Sequence, residues 1–252
     1  VYKTFFCNIS SVLVEGGKQV EKGKISSLQM AILLYPSIIA TGIISVPSLV
    51  AKYAKNDLWI PPIIASIIGF ANVLIAYELH KRYPNQTFIE CSEQIAGRFA
   101  GKIISFSILF FYFIVTGHIV RGYSEFIIGS FLIHTPLIVI IASMTILCAF
   151  TVQGGLEVMG RIGILFSPLF ILPILSFVIL LSPDFEIKNI FPILGNGFMP
   201  VIKGSLVPGG WYSELFLIAF LLPYVSDINK GRKYGFLTVV AVMITLVVVN
   251  LT

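Results

Sequence analysis

The chain has 252 residues, of which 57% are hydrophobic and 12% are charged, and its mean hydropathy is +0.95. Soluble domains are about 45–50% apolar and about 25% charged, so this composition excludes an ordinary soluble globular protein. The net charge of +5 is carried by residues in short loops between hydrophobic runs, which indicates membrane topology and not a nucleic-acid partner.

Seven hydrophobic segments follow one another along the chain, and a spanning helix needs about 20 mostly apolar residues. We therefore predict an all-α membrane protein, with a cytoplasmic segment over residues 1–24 and a transmembrane domain of about seven spans over residues 25–252. The last segment stops within hydrophobic sequence, so we expect a C-terminal truncation. The predicted spans are Leu28–Tyr53, Trp59–Leu79, Lys102–Gly129, Leu137–Gln153, Gly160–Ser182, a segment from near Gly204 to Ser226, and Tyr234–Thr252.

The first predicted span has three small residues, Ala40-Thr41-Gly42, near its middle, between Pro36 and Pro47. A helix can be broken at such a triplet. Unpaired backbone groups are tolerated at membrane depth only where they line a protein cavity, as in the discontinuous helices of secondary transporters. The alternative is structural, because Gly and Pro are common in membrane helices and small residues also allow close helix packing.

The basic residues predict the orientation of these spans. Twelve of the 17 Lys and Arg residues lie on the side of the N-terminus and four on the opposite side, while Arg121 lies within a span. The positive-inside rule therefore predicts a cytoplasmic N-terminus. On that same side, the apolar residues of Thr87–Ala96 recur at helical spacing, which predicts a short interfacial helix.

The third predicted span carries three ionisable residues, His118, Arg121 and Glu125. Spacings of three and four place them on one helical face, and Arg121 can pair with Glu125. Ionisable groups at membrane depth are costly and usually face the interior of a bundle, so one interpretation is a proton- or ion-coupling element. The other is a structural ion pair near the outer interface.

The sixth predicted span is interrupted by Pro208-Gly209-Gly210 before Glu214, so a second broken helix is expected there. Glu214 has hydrophobic sequence on both sides. Burying an unpaired carboxylate costs several kcal/mol, so this group must be protonated, paired or directed into a wet cavity. Glu214 is our main candidate for a functional residue, and the alternative is a buried carboxyl that only joins neighbouring helices by hydrogen bonds.

The chain has no pattern that indicates catalysis or metal binding. Its three cysteines show no paired spacing, and neither a Gly-x-Ser-x-Gly nor a His-Glu-x-x-His element occurs. We therefore expect no catalytic residues, no metal site, no cofactor and no enzymatic activity.

Two interrupted segments in the first and sixth positions, with four continuous ones between them, resemble the amino acid–polyamine–organocation (APC) superfamily. Ala40–Pro47 looks like the Gly-Thr-Gly-Ile…Pro element of that superfamily, with Ala40 in place of a glycine. The resemblance implies a LeuT/APC-type helical bundle with discontinuous helices 1 and 6. That fold pairs two inverted five-helix repeats, so the second repeat would be largely missing from this chain.

A closer resemblance is to the B subunits of bacterial spore nutrient-germinant receptors. It rests on the basic start Lys22–Ser26, on Gln29, on the Thr-Gly-Ile element, and on Glu214 followed by Leu221–Tyr224. It implies a multi-pass protein of the bacterial cell or spore inner membrane that binds an amino acid or similar small nutrient. Its implied partners are A- and C-type receptor subunits and the lipid bilayer.

In permeases of the APC type, the end of a broken half-helix offers free N–H groups to the carboxylate of the ligand. The resemblance implies a receptor that triggers germination. A proton-coupled amino-acid transporter remains the alternative, with coupling through Glu214 or through the face of His118, Arg121 and Glu125. The ligand-binding residues that the resemblance implies are Thr41, Gly42, Ile43, Tyr112, Thr116, Tyr212, Ser213 and Glu214.

Overall fold

The computed structural model describes residues 23–84, 86–181 and 191–251, and these residues form helices joined by short connections. The predicted cytoplasmic segment therefore lies outside the described residues as far as residue 22. Short 3₁₀ segments flank some helices, at Lys55–Asp57, Glu214–Leu217 and Leu222–Tyr224. The helices are α1 (Ser27–Ala54), α2 (Ile60–Arg82), α3 (Phe88–Ala96), α4 (Arg98–Ser130), α5 (Leu137–Gln153), α6 (Gly155–Leu181), α7 (Phe198–Ser213), α8 (Ile218–Leu221) and α9 (Ile228–Leu251).

Six helical segments in the described ranges are long and apolar enough to cross a membrane. They correspond to α1, α2, α4, α6, α9 and the continuous stretch Phe198–Tyr224, which we call the sixth span. The prediction of an all-α multi-pass membrane protein is therefore confirmed. We predicted seven spans, but the seventh candidate, α5, has only 17 residues and is not among the six. That is about 26 Å of helix, at the lower limit for crossing the roughly 30 Å hydrocarbon core.

The predicted break in the first helix is absent, because α1 runs without interruption through Ala40–Gly42. Small residues are used here for packing: Gly42 lies beside Trp211 and Leu246 of neighbouring helices, and Thr41 is bonded to Trp211. In the sixth span the backbone stays helical as well, but it changes from α to 3₁₀ geometry at Glu214.

Four spans form the packed centre of the molecule: α1, α2, the sixth span and α9. We call this group the four-helix core. Its buried side chains form one apolar cluster, to which α3 adds Phe88. Glycine allows the closest approach at Gly69 of α2, where a Cβ atom would lie 2.8 Å from the ring of Tyr212. Gly235 of α9 similarly approaches Val73, with 2.7 Å to its Cγ1.

The remaining long helices, α4, α5 and α6, form what we call the outer arm. Within the apolar windows of α4 and α6 only 6% of the residues are buried, against 39–50% in the spans of the core. The arm touches the core where α6 packs on α1 through Gly160 and Gly163, and α4 also packs on the short helix α3. At the α3–α4 corner, Gly97 has φ of +84° and a Cβ on Gly101 would lie 2.5 Å from the backbone of Glu93.

Hydrogen bonds across about 200 residues join the start of α1 to the linker between α8 and α9. Asp227 accepts from the Ser27 amide at 2.6 Å and from the Ser27 hydroxyl at 2.9 Å, through its Oδ1 atom. Ile25 donates to the Tyr224 carbonyl and accepts from the Ser226 amide. We call this junction the α1 clasp. At the opposite end of the core, the buried carboxylate of Asp57 accepts from the Leu194 amide at 2.9 Å.

Candidate functional site

A cleft of about 410 Å³ opens between α1, α4 and the sixth span. This volume falls within the range of about 300–1,000 Å³ that is common for small-molecule sites. Most of its wall is apolar, and polar groups enter from all three elements. The lining residues are Ala40, Thr41, Ile44, Ser45, Ile114, Val115, His118, Ile119, Gly122, Tyr123, Phe126, Trp211 and Glu214.

The wall of the cleft formed by α1 and α7 is fixed by one hydrogen bond between side chains 170 residues apart. The indole Nε1 of Trp211 donates to the hydroxyl oxygen of Thr41 at 2.9 Å. The indole also packs over Gly42, where a Cβ atom would lie 3.5 Å from Trp211 Cδ1. Thr41 therefore holds the ring of Trp211 against the small-residue stretch of α1, and both residues face the cleft.

Glu214 places a carboxyl group on this wall at the first residue of the 3₁₀ segment. Its side chain is only 9% exposed, and it forms no ion pair with any described residue. Tyr112 of α4 packs its ring edge-on against Phe220 of the sixth span, at 5.9 Å between centroids. Glu214 is thus a buried carboxyl group that adjoins a cleft.

The three ionisable residues of α4 do not all reach the cleft. His118 lines it. Arg121 donates from Nε to Glu125 Oε1 at 2.8 Å, as their spacing predicts, but this pair is 71% and 55% exposed and lies outside the lining set. His118 and Glu214 therefore share one cavity, while Arg121 and Glu125 form a separate surface pair.

The other residues implied by the resemblance lie around the cleft and not in its lining. Ile43 packs against the apolar core, and Thr116 donates its hydroxyl to the Tyr112 carbonyl. Ser213 donates to the Gly209 carbonyl, and the side chain of Tyr212 is fully buried against α2. Successive helical residues are about 100° apart, so Tyr212 and Glu214 point to opposite sides of their helix. That geometry was available from the sequence.

Sequence reasoning missed several lining residues that share a face with predicted ones. On α4, Ile114 and Gly122 lie one turn before and one turn after His118, which helical spacing identifies once His118 is placed. Trp211 gave no such signal, because its partner Thr41 lies in a distant segment. Among the described residues, no group of three or more His, Cys, Asp or Glu side chains is placed to hold a metal ion.

The family model described as "Spore germination protein" matches residues 24–252. The chain belongs to this spore germination family. Curated relatives include spore germination protein YndE of Bacillus subtilis, 28% identical over 72% of this chain and 50% of the relative. Spore germination protein KB of the same species is 24% identical over 92% of this chain and 62% of the relative. Spore germination protein XB of Bacillus anthracis is 25% identical over 88% of this chain and 62% of the relative.

This chain accordingly spans one half to three fifths of the length of these germination proteins. No solved structure matches it. Family membership and the six apolar spans together make it a multi-pass membrane protein of the spore germination family.

Proposed function

We propose that this chain is the membrane subunit of a spore nutrient-germinant receptor, and that an amino acid or similar small nutrient binds in the cleft and triggers germination. The observation that carries the proposal is the buried carboxyl group of Glu214 on the wall of a cleft of ligand size. Membership in the spore germination family connects that cleft to germination.

The chemistry of the cleft suits a small ligand with an ammonium group and an apolar portion. Glu214 offers a carboxylate to the ammonium, and charge-assisted hydrogen bonds of this kind are about twice as strong as neutral ones. Trp211, Tyr123 and Phe126 supply aromatic surface, which attracts cations and buries apolar groups. Ser45 adds a hydroxyl group that can donate to the ligand or accept from it.

We further propose that the fold is of the LeuT/APC type, with the N-terminus in the cytoplasm and the protein in the spore inner membrane beside A- and C-type subunits. Two features support the fold: the first and sixth spans meet at the Thr41–Trp211 hydrogen bond, and the sixth span changes its winding at Glu214. In this proposal Ala40–Gly42, which lie within the continuous helix α1, unwind when the nutrient binds.

A proton-coupled amino-acid transporter is the second candidate function. One observation favours it: His118 and Glu214, on different helices, line the same cleft. Two titratable groups in one cavity can exchange a proton while a ligand is bound. The receptor and the transporter differ in whether binding ends in release on the other side of the membrane.

The first experiment measures binding and uptake of labelled amino acids by the full-length protein in proteoliposomes, with and without a proton gradient. Saturable binding without uptake supports the receptor, and gradient-driven accumulation supports the transporter.

Glu214→Gln should weaken binding by about tenfold or more, because it removes a charge-assisted bond worth about 1.5–3 kcal/mol. Glu93→Gln on α3, outside the cleft, is the matched control. Unchanged affinity in Glu214→Gln would refute the proposed site.

A further inference from the structure

A second groove lies where α2 ends, on the predicted cytoplasmic side. It has a volume of about 350 Å³ and is lined by Ile75, Glu78, Leu79, Arg82 and Tyr83 together with Ile95 of α3. With nine residues, α3 is about 13 Å long, too short to cross a bilayer. It packs on α4 at the tight Gly101 contact and buries Phe88 in the core. The groove therefore lies at the level of the membrane surface.

Polarity changes in one direction along this groove. Ile75 and Arg82 are seven residues apart, which is about 10 Å along the axis of α2. Ile75 marks the apolar end and Arg82 the charged end, where Tyr83 adds an aromatic ring of the kind enriched at membrane interfaces. Ile75 is 56% exposed and Ile95 is 59% exposed, so neither is covered by the described protein.

Basic residues cluster in the helical turn at the charged end of the groove. The last turn of α2 contains His80, Lys81 and Arg82, and of these Arg82 lines the groove. Lys81 and Arg82 form no ion pair with any carboxylate of the described residues, including Glu78 one turn away. Cations left without a protein partner at a membrane surface attract anionic lipid headgroups.

We propose that this groove binds one anionic phospholipid, with its phosphate at Arg82, beside Lys81 of the same helical turn, and one acyl chain along Ile75, Leu79 and Ile95. The groove changes from a charged end to an apolar wall, and a phospholipid changes in the same way from its charged headgroup to its acyl chains. Glu78 adds an acceptor for hydroxyl donors, which a glycerol headgroup has and a choline headgroup lacks. A peptide is a poorer fit, because its backbone polar groups would meet unmatched apolar surface at the Ile75 end.

The test is native mass spectrometry of the full-length protein with phosphatidylglycerol or phosphatidylcholine of identical acyl chains. We expect about fivefold stronger retention of phosphatidylglycerol. The double variant Lys81→Gln, Arg82→Gln should reduce that retention about fivefold. The control Lys52→Gln, in the last turn of α1 and away from the groove, should leave it unchanged. Equal retention of the two lipids, or equal loss in the control variant, would overturn the proposal.

Two further experiments distinguish a bound lipid from a bound inorganic anion and from a bound protein. Millimolar inorganic phosphate should not displace the lipid, since the acyl chain contributes to binding. Displacement by phosphate would mean that the groove is a simple anion site.

The second experiment tests whether a protein occupies the groove. Ile95→Cys is labelled with a thiol reagent in a background whose native cysteines are replaced by alanine. Slower labelling in phosphatidylglycerol vesicles than in phosphatidylcholine vesicles supports the lipid, and slowing only when partner subunits are added would assign the groove to a protein. The labelling also serves if the double variant fails to fold.

Discussion

The four-helix core and the outer arm have similar apolar composition but opposite packing. The core spans bury 39–50% of their apolar windows, whereas α4 and α6 bury 6%. Hydropathy alone assigns both groups to the membrane and cannot separate them. The cleft lies on their boundary, with α1 and the sixth span on one side and α4 on the other. The cleft wall that carries Glu214 therefore belongs to the tightly packed group, and the wall that carries His118 belongs to the loosely packed one.

The largest expected loss of stability comes from adding a side-chain atom in the four-helix core, where the packing is tight. Gly69→Ala would place a Cβ atom 2.8 Å from Tyr212 Cδ1 and 3.1 Å from Leu215 Cδ1. Both side chains are fully buried, so the variant should lose about 1–3 kcal/mol of stability. Gly117→Ala in α4 is the control, because a Cβ there has no atom within 4 Å. The measurement is the thermal unfolding midpoint in detergent. Equal destabilisation by both variants would contradict the division into core and arm.

A smaller effect is expected at the α1 clasp. Asp227→Ala removes the acceptor of two Ser27 hydrogen bonds at the start of α1 and should cost about 1–2 kcal/mol of unfolding free energy. Asp227→Asn keeps an acceptor oxygen and should cost less. A thermal melt of each variant measures the difference, and an Asp227→Ala protein as stable as the native one would show that the clasp does not stabilise the core.

The clasp should also respond to pH. Partial desolvation acts to raise the pKa of Asp227, but the hydrogen bonds from the Ser27 amide and hydroxyl outweigh it and lower the pKa below its ordinary value. A carboxyl whose pKa is lowered by folding stabilises the protein above its unfolded pKa of about 3.9 and loses that contribution as pH falls through the folded pKa. The difference in melting temperature between native protein and Asp227→Ala should therefore stay constant from pH 7 to about pH 5 and narrow below about pH 4.

The smallest expected effect on stability comes from Gly42→Ala. A Cβ there would lie 3.5 Å from Trp211 and 3.7 Å from Leu246, which are ordinary contacts, and alanine favours helix by about 1 kcal/mol over glycine. The variant should fold normally. If ligand binding requires α1 to unwind at Ala40–Gly42, its affinity for the nutrient should fall about fivefold. Unchanged affinity would mean that α1 stays helical when the ligand binds.

Local pattern predicted the helices well. The predicted Leu28–Tyr53 and Leu137–Gln153 match α1 and α5 to within one residue, and the amphipathic run after residue 86 is α3, with Thr87 as its N-cap. Periodicity and hydropathy are properties of neighbouring residues, so they report on single helices.

Contacts between distant segments were not predictable in the same way. The Thr41–Trp211 and Ser27–Asp227 bonds join residues 170 and 200 positions apart, and nothing local marks these partners. The structure does not show the predicted break in α1, because the small residues Thr41 and Gly42 pack against Trp211 within a continuous helix. Composition shows that such a segment is able to bend, and packing decides whether it does.

The 3₁₀ segment Glu214–Leu217 has a geometric consequence for the part of the sixth span that follows it. A 3₁₀ helix turns by about 120° per residue and rises about 2.0 Å, against about 100° and 1.5 Å in an α-helix. Rewinding these four residues as α-helix would rotate everything beyond them by about 80° and shorten the span by about 2 Å. Phe216 lies within this segment and Phe220 lies beyond it, and their rings contact Phe88 of α3 at 5.4 and 5.2 Å between centroids. The winding of this segment therefore sets how the sixth span contacts α3.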